Sequence, residues 1–308
     1  MSAPTQCYLF DGTGDYITVA DNADFDVDTY ISVGCWVSRD YDDLNDNSYL
    51  MHRASTFSLQ IDDDNKVLWS IHAATPMVHK SIGTIPAEAV TLIVATAEES
   101  GTSLITKIYI NGTLDSTETF LASAMPAAAA TAMYFGCDAT PGGNPFKGTM
   151  SSFFMTSDAI TAAEVLDLYT RSDGQATSAL DNLVVDIDTE GDLANAGSAG
   201  NGTATNAVAR TYMNLWQSMS KNGGTIVIPE AETGYLTQKP IAVKSIHWEG
   251  ENIADGDDLQ LKDYAGGSKF HHHALAADEG GTWAFGDKFW SGLYIYLLDH
   301  GKLEIEVN

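Results

Sequence analysis

The stretch Tyr8–Tyr16, YLFDGTGDY, decides how this chain is read, together with Phe146–Tyr169, FKGTMSSFFMTSDAITAAEVLDLY. In the first, an apolar strand runs into Asp11-Gly12, turns on Gly14 and resumes as Tyr16-Ile17-Thr18-Val19. In the second, a strand passes through Ser157-Asp158 into a short amphipathic helix. Thr161 followed three residues later by Glu164 has the spacing of a capping box, which predicts a helix over 161–171. Val165, Leu168 and Tyr169 supply its apolar stripe, and Gly174 is placed to cap its C-terminal end.

Outward from these two stretches, residues 1–175 read as many short strands divided by Gly, Asn and Asp turns, the pattern of an all-β sandwich. Ile31, Val33, Cys35 and Val37 alternate with Ser32, Gly34, Trp36 and Ser38, the period of two that a strand requires. Phe57–Ile61 and Val67–Ile71 flank Asp62-Asp63-Asp64-Asn65 as a hairpin. Thr91–Thr96 and Ile105–Ile110 repeat the strand pattern, and Asn111-Gly112 is a tight-turn dipeptide between KIYI and TLDSTET.

In this order of parts the chain resembles the concanavalin A-like, laminin-G-type jelly-roll family. The resemblance is carried by Phe10-Asp11-Gly12, ISVGCWVS (31–38), KIYINGTLDST (107–117), MYFGC (133–137) and the closing helix. It implies that the chain's first and last strands pair near the centre of the sandwich. The fold hosts both enzymes and binding modules, so it leaves function open. Where the family often opens a central strand with Trp-His, this chain has Glu88-Ala89-Val90-Thr91, so no site residue is carried over there. Folds of this type sometimes hold one structural calcium. The resemblance thereby implies Asp11, Asp15 or the acidic Asp21–Asp28 stretch as oxygen ligands, with solvated turn acids as the alternative reading.

Leu183–Ile187 and the glycine-rich region 190–202 are assigned to the same domain, giving 1–205. Residues 206–235 then read as a connector. Val208, Tyr212, Leu215, Trp216 and Met219 have helical spacing over 207–220, and Asn222-Gly223 would stop the helix. The pattern over 236–308 is again β and predicts a smaller C-terminal β-sandwich. Ile246 and Trp248 share one face, Leu259 and Leu261 another, and Leu303, Ile305 and Val307 alternate with charged residues. The runs Val243–Trp248, Leu261–Gly267 and Trp290–Tyr296 resemble small β domains of tailed-phage virion proteins.

The charge balance narrows the function. Fifteen Lys and Arg against 42 Asp and Glu give −27, which repels nucleic acid and anionic membranes alike. Cys7, Cys35 and Cys137 lie in apolar strand-like runs and fit no zinc spacing, so they read as small buried hydrophobes. No basic segment followed by an apolar run opens the sequence, and no stretch is long enough to span a bilayer.

Chemistry is sparse. Asp186, Asp188 and Glu190 alternate as jelly-roll glucanase carboxylates do, but they run into a glycine-rich loop away from the strands that would line a cleft. The same run begins like an EF-hand loop and fails at its twelfth position, which is Gly197. In His271-His272-His273, the strand period puts His271 and His273 on one face, a pair able to hold a transition metal. The alternative is a polar strand face. There is no nucleophile elbow, phosphate-cradling loop or basic aromatic patch.

The reading favoured by the sequence is a non-enzymatic virion protein of a tailed phage. It would be made in the bacterial host cytoplasm and displayed on the virion surface as a capsid decoration, knob or fibre-like element, or on the tail. Virion positions are symmetric, which implies a homo-oligomer docked on other virion proteins. The alternative is a carbohydrate-binding module gripping a host-surface glycan, with Trp69, His72, Tyr41 and Tyr49 as candidate contacts. A polysaccharide-degrading enzyme ranks third. Neither reading calls for a cofactor beyond a structural calcium.

Overall fold

The alternation in the sequence becomes two antiparallel sheets closed over a common interior. A computed structural model describes residues 7–40, 47–73, 76–87, 89–121, 124–138, 143–170, 180–187 and 193–210, and further on eight separate strands. The chain forms two units, Met1–Met213 and Asn214–Asn308.

In the first unit the strands are β1 (Cys7–Asp11), β2 (Tyr16–Val19), β3 (Tyr30–Arg39), β4 (Asn47–Arg53), β5 (Phe57–Asp62), β6 (Val67–Ile71), β7 (Met77–Lys80) and β8 (Thr91–Ser100). They continue with β9 (Ser103–Ile110), β10 (Thr113–Leu121), β11 (Met133–Phe135), β12 (Lys147–Thr156), β13 (Leu183–Ile187), β14 (Gly202–Thr205) and β15 (Val208–Arg210); helix α1 (Ala162–Thr170) follows β12. One sheet runs β10-β9-β8-β3-β12-β1-β15, with β13 also on β12; the other runs β14-β2-β11-β4-β5-β6-β7.

The early and late strands do pair. Tyr8 stands opposite Met150 and Asp11 opposite Lys147 on β12. β1 covers the first half of β12 and β13 the second, where Phe153 faces Ile187. A bulge in β12 between Ser151 and Phe154, with Ser152 at φ 51°, separates the two halves. The hairpin signals hold as well: Asn111 and Gly112 sit at φ 51° and 80°, as a two-residue turn of right-twisted strands requires.

The interior packs Phe10, Val33 and Phe153 of the first sheet against Leu59, Trp69 and Phe135 of the second. Trp69 Nε1 donates to the carbonyl of Thr96 across 3.0 Å, tying the two layers. The other face of the first sheet is also closed. Trp36, Leu92, Val94 and Phe154 form a second apolar cluster with Val165 and Leu168 of α1, and Trp36 stacks on Tyr169 at 5.9 Å. Gly34 leaves room for that layer, since a Cβ there would lie 2.5 Å from the Phe154 ring. The capping box forms as expected: Thr161 N donates to Glu164 Oε2 at 2.6 Å, and Glu164 N to Thr161 Oγ1 at 3.3 Å. Gly174 lies outside the described residues.

The three cysteines are buried and form no disulfide, and burial pushes the Cys35 thiol far above its usual range. The loop after β13 is organised by Asn195. Its Oδ1 accepts from Asp186 N and Gly197 N, and its Nδ2 donates to the carbonyls of Val184 and Ala199.

The stretch 206–235 is not a simple connector. Its start is strand, not helix: Val208 and Ala209 pair with Leu9 and Tyr8, satisfying the open edge of β1. Residues 211–220 of the expected helix lie outside the described residues. Later, β16 (Thr225–Ile228) and β17 (Gly234–Thr237) already belong to the second unit. The second unit continues with β18 (Ile241–Glu249), β19 (Asp258–Lys262), β20 (Ser268–His273), β21 (Gly281–Trp290), β22 (Leu293–Leu298) and β23 (Lys302–Val307). These form two four-stranded antiparallel sheets, β16-β23-β18-β21 and β17-β22-β19-β20. Ile246, Trp248, Leu303 and Ile305 are fully buried in the first, and Leu259 and Leu261 in the second.

Candidate functional site

In the first unit one outer sheet face is roofed by α1, which directs attention to the other. On the second sheet, Phe57, Leu59, Ile61, Val67, Trp69 and Ile71 point into the core. The intervening residues Ser58, Gln60, Leu68 and Ser70 therefore face outward. The same logic turns Tyr49 and His52 of β4, Tyr134 of β11 and Tyr16 of β2 to that face. Strand register lines them up: Tyr134 is opposite His52, His52 opposite Ser58, and Tyr49 opposite Gln60. Adjacent strands lie about 4.8 Å apart, so the row from Tyr134 to Ser58 spans roughly 10 Å.

The face is recessed at its centre. His52, Ser58, Gln60 and Ser70 are buried although they point away from the core, whereas Tyr16, Tyr49, Tyr134 and His72 are half-buried around them. The His52 ring meets Tyr49 edge-on at 5.0 Å between centroids and His72 at 5.8 Å. His72 Nε2 lies 3.3 Å from Ser58 Oγ, which accepts from Gln60 Nε2 at 2.6 Å. Tyr16 and Tyr134 pair at 6.1 Å, extending the aromatic surface beyond His52. The rim is pinned from one side: Tyr49 N donates to the carbonyl of Asn144, whose Nδ2 donates to Asp138 Oδ2 at 3.0 Å.

One atom here is unsatisfied: His52 Nδ1 is buried and has no hydrogen-bond partner. A buried polar atom without a partner costs free energy, and such an atom in a recess marks a place where a ligand group or water is received. Burial holds the His52 imidazole down at about pKa 4; His72 acts in the same direction and the Asp138 charge opposes. Burial also lowers His72 and raises the Tyr49 phenol, the latter reinforced by Asp138. At neutral pH both imidazoles are therefore uncharged. Together the groups offer neutral donors and acceptors beside half-buried aromatic rings.

Of the residues expected from the sequence, Tyr49 and His72 come together here. Trp69 does not: it is fully buried on the opposite face of β6, in phase with Val67 and Ile71, with its indole N–H satisfied inside. It is a core residue and cannot serve as a sugar platform. Tyr41 lies outside the described residues. His52, Ser58, Gln60 and Tyr134 were not singled out in the sequence. The signal was available in the outward phase of hairpin β5–β6, but the pairing of Tyr134 with His52 joins positions far apart in the chain.

Several of the other candidates are engaged within the fold. Asp15 Oδ2 accepts from Asp11 N and Asp11 Oδ1 from Thr13 N, so both carboxylates hold the turn after β1. Asp21 and Asp26 from the acidic stretch form ion pairs with Arg53, at 3.2 and 2.8 Å. Arg53 is fully buried, donates to the carbonyls of Phe25, Thr131 and Ala129, and lies over the Phe25 ring. Among the described residues, Asp62, Asp63 and Asp64 form the group geometrically able to hold a metal, but Lys80 Nζ already sits 2.6 Å from Asp62 and 2.8 Å from Asp64. Asp186 is buried on β13; Asp188 and Glu190 lie outside the described residues. His271 and His273 stand on the edge strand β20, in register with Gln260 and Asp258. Among the described residues no helix is long and apolar enough to cross a membrane.

This architecture defines a jelly-roll sandwich. Residues 11–166 match the concanavalin A-like lectin/glucanase superfamily in its laminin G form, and the chain belongs to that family. The fold is shared with a candidate carbohydrate binding protein from Bacteroides ovatus, at 18% identity and a TM-score of 0.55, over 68% of this chain and 60% of that one. A heptameric SAP-like pentraxin from Limulus polyphemus aligns at 11% identity and a TM-score of 0.48, over 69% of this chain and 97% of its own. Domain 4 of an extracellular arabinanase from Geobacillus stearothermophilus, solved with arabinotriose, aligns at 17% identity and a TM-score of 0.43, over 53% of this chain and 76% of its own. No curated protein sequence matches the chain.

Proposed function

We propose that the first unit is a glycan-binding module whose site is the outer shelf of the second sheet. One observation carries the reading: the outer face left open by α1 holds an aromatic-rimmed recess of imidazole, amide and hydroxyl groups, in which the buried His52 Nδ1 has no partner. Sugar sites combine apolar faces that stack on pyranose rings with a few placed polar groups that fix the hydroxyls. Tyr49, Tyr134 and Tyr16 supply the first, and Gln60, Ser58, His52 and His72 the second. The Bacteroides ovatus protein of the same fold is described in terms of carbohydrate binding, which supports the same direction.

The module binds and does not turn over its ligand. Of the acids near the shelf, Asp62 is paired with Lys80 and Asp138 accepts from Asn144 Nδ2, whereas hydrolysis with inversion or retention calls for two carboxylates flanking one bond. The virion reading, which rests on the resemblance of the C-terminal strands together with the acidic charge and the sparse chemistry, draws no support from the comparisons, so it stands behind glycan binding. The two are compatible, since a displayed protein can carry an adhesive module.

The test is a glycan panel probed with the purified protein, followed by titration calorimetry on any hit. Binding that Gln60→Ala and His52→Ala each weaken at least tenfold, about 1.4 kcal/mol, with the circular dichroism spectrum unchanged, is the expected result. Binding that survives both substitutions would move the site elsewhere.

A further inference from the structure

We infer that the shelf selects uncharged glycans and rejects their anionic counterparts, the sialylated, uronic-acid and sulfated saccharides. The inference rests on the glycan-binding reading and specifies its ligand.

The argument is one of charge and its absence. Recognition of a carboxylate or sulfate calls for a cation, preferably the fork of an arginine, or for a cluster of free backbone amides at a helix N-terminus. Among the described residues, no shelf position on β2, β11, β4, β5 or β6 is Lys or Arg. The cations nearest in sequence or register are already engaged. Arg53 follows His52 directly, but it is turned inward and held by Asp21, Asp26 and backbone carbonyls. Lys80 stands on β7 opposite Leu68, two strands from Gln60, and is clamped between Asp62 and Asp64. No helix terminus bears on this face among the described residues, since α1 packs on the other sheet.

What charge the site does have is negative. Asp138 lies near enough to His52 and Tyr49 to affect the ionisation of both. His52 and His72, the groups that could become positive, are kept neutral by burial at physiological pH. The whole molecule carries −27, so an anionic saccharide meets repulsion at long range as well. A neutral sugar pays none of this. Its hydroxyls are both donors and acceptors, which suits a shelf of Gln60, Ser58, His72 and the unpartnered His52 Nδ1.

Matched pairs of immobilised oligosaccharides test the inference: lactose with sialyllactose, an oligomer of galactose with one of galacturonate, and a neutral glycosaminoglycan-like disaccharide with its sulfated form. Measurements at low and at physiological salt are made with the full chain and its Gln60→Ala variant. Binding to one or more neutral members, at least tenfold tighter than to the charged partner and lost in Gln60→Ala, is the expected result. An anionic member bound as tightly as its neutral partner, and lost in Gln60→Ala, would overturn the charge selectivity while leaving the binding site standing. Binding to no member of either class would remove the glycan-binding reading and this inference with it.

Discussion

Acidification should weaken the fold through His52, and by a calculable amount. The ring is held neutral with a pKa of about 4, against an ordinary value of about 6.5 in an unfolded chain. Between these values the unfolded state takes up a proton that the folded state refuses, so stability falls as pH drops from about 6.5 towards 4. At pH 4.5 the linkage amounts to about 2.5 kcal/mol as an upper limit. The shelf is rimmed by half-buried groups that water reaches, which brings the expected loss to about 1–1.5 kcal/mol. His72 and His79, also lowered by burial, add to the slope in the same direction. The assay is urea unfolding at pH 7.5, 6.0 and 4.5, followed by tryptophan fluorescence, on the native protein and on His52→Gln. The variant lacks the titrating group and should lose about 1–1.5 kcal/mol less than the native chain over this range. Equal pH slopes for the two proteins would refute the burial of His52 in the recess.

Other expectations concern residues whose structural work is defined above. Trp69→Ala should cost about 3–5 kcal/mol, since it empties the interior of its largest ring and removes the indole bond to the Thr96 carbonyl; a binding assay on this variant would report unfolding, so its thermal midpoint must be read first. Arg53→Met should destabilise by roughly 3 kcal/mol, at the low end for a broken buried ion pair because Asp21 and Asp26 keep some solvent. Arg53→Lys should not restore it, because an ammonium cannot reach carbonyls and carboxylates at once; equal urea midpoints for Lys and Arg would contradict that. Thr161→Ala should cost about 1 kcal/mol and Thr161→Ser much less, the pattern of a lost helix cap, measurable by chemical denaturation.

Most of the first unit's fold was legible because its signals are local. The alternation of Ile31, Val33, Cys35 and Val37, the Asn111-Gly112 turn and the Thr161–Glu164 box each act within a few residues, and all three appear where expected. The second sheet's interior was legible in principle from the phase of Phe57–Ile71, in which Trp69 shares the parity of Val67 and Ile71. Its size and aromatic character suggested a platform, but parity decides the side. The shelf was harder to read. His52 and Tyr134 become neighbours through the order β11-β4, a long-range pairing that no local window encodes. Ser58 and Gln60 look in sequence like the ordinary polar half of a strand. The helix expected over 207–220 gives way at its start for a related reason: the open edge of β1 captured Val208–Arg210, and edge capture is invisible in helical spacing.

Because successive residues of a strand point to opposite sides, Arg53 and His52 are two ends of one rung. The interior guanidinium lashes that rung to the segments around Phe25 and Ala129, so the imidazole on the far end is held by a rigid mount. A recess built this way is set before any ligand arrives, so if it binds the glycan proposed above, the ordering cost of contact falls mainly on that ligand. Stronger attachment would then come from presenting many such grips side by side, where each successive one closes at high local concentration.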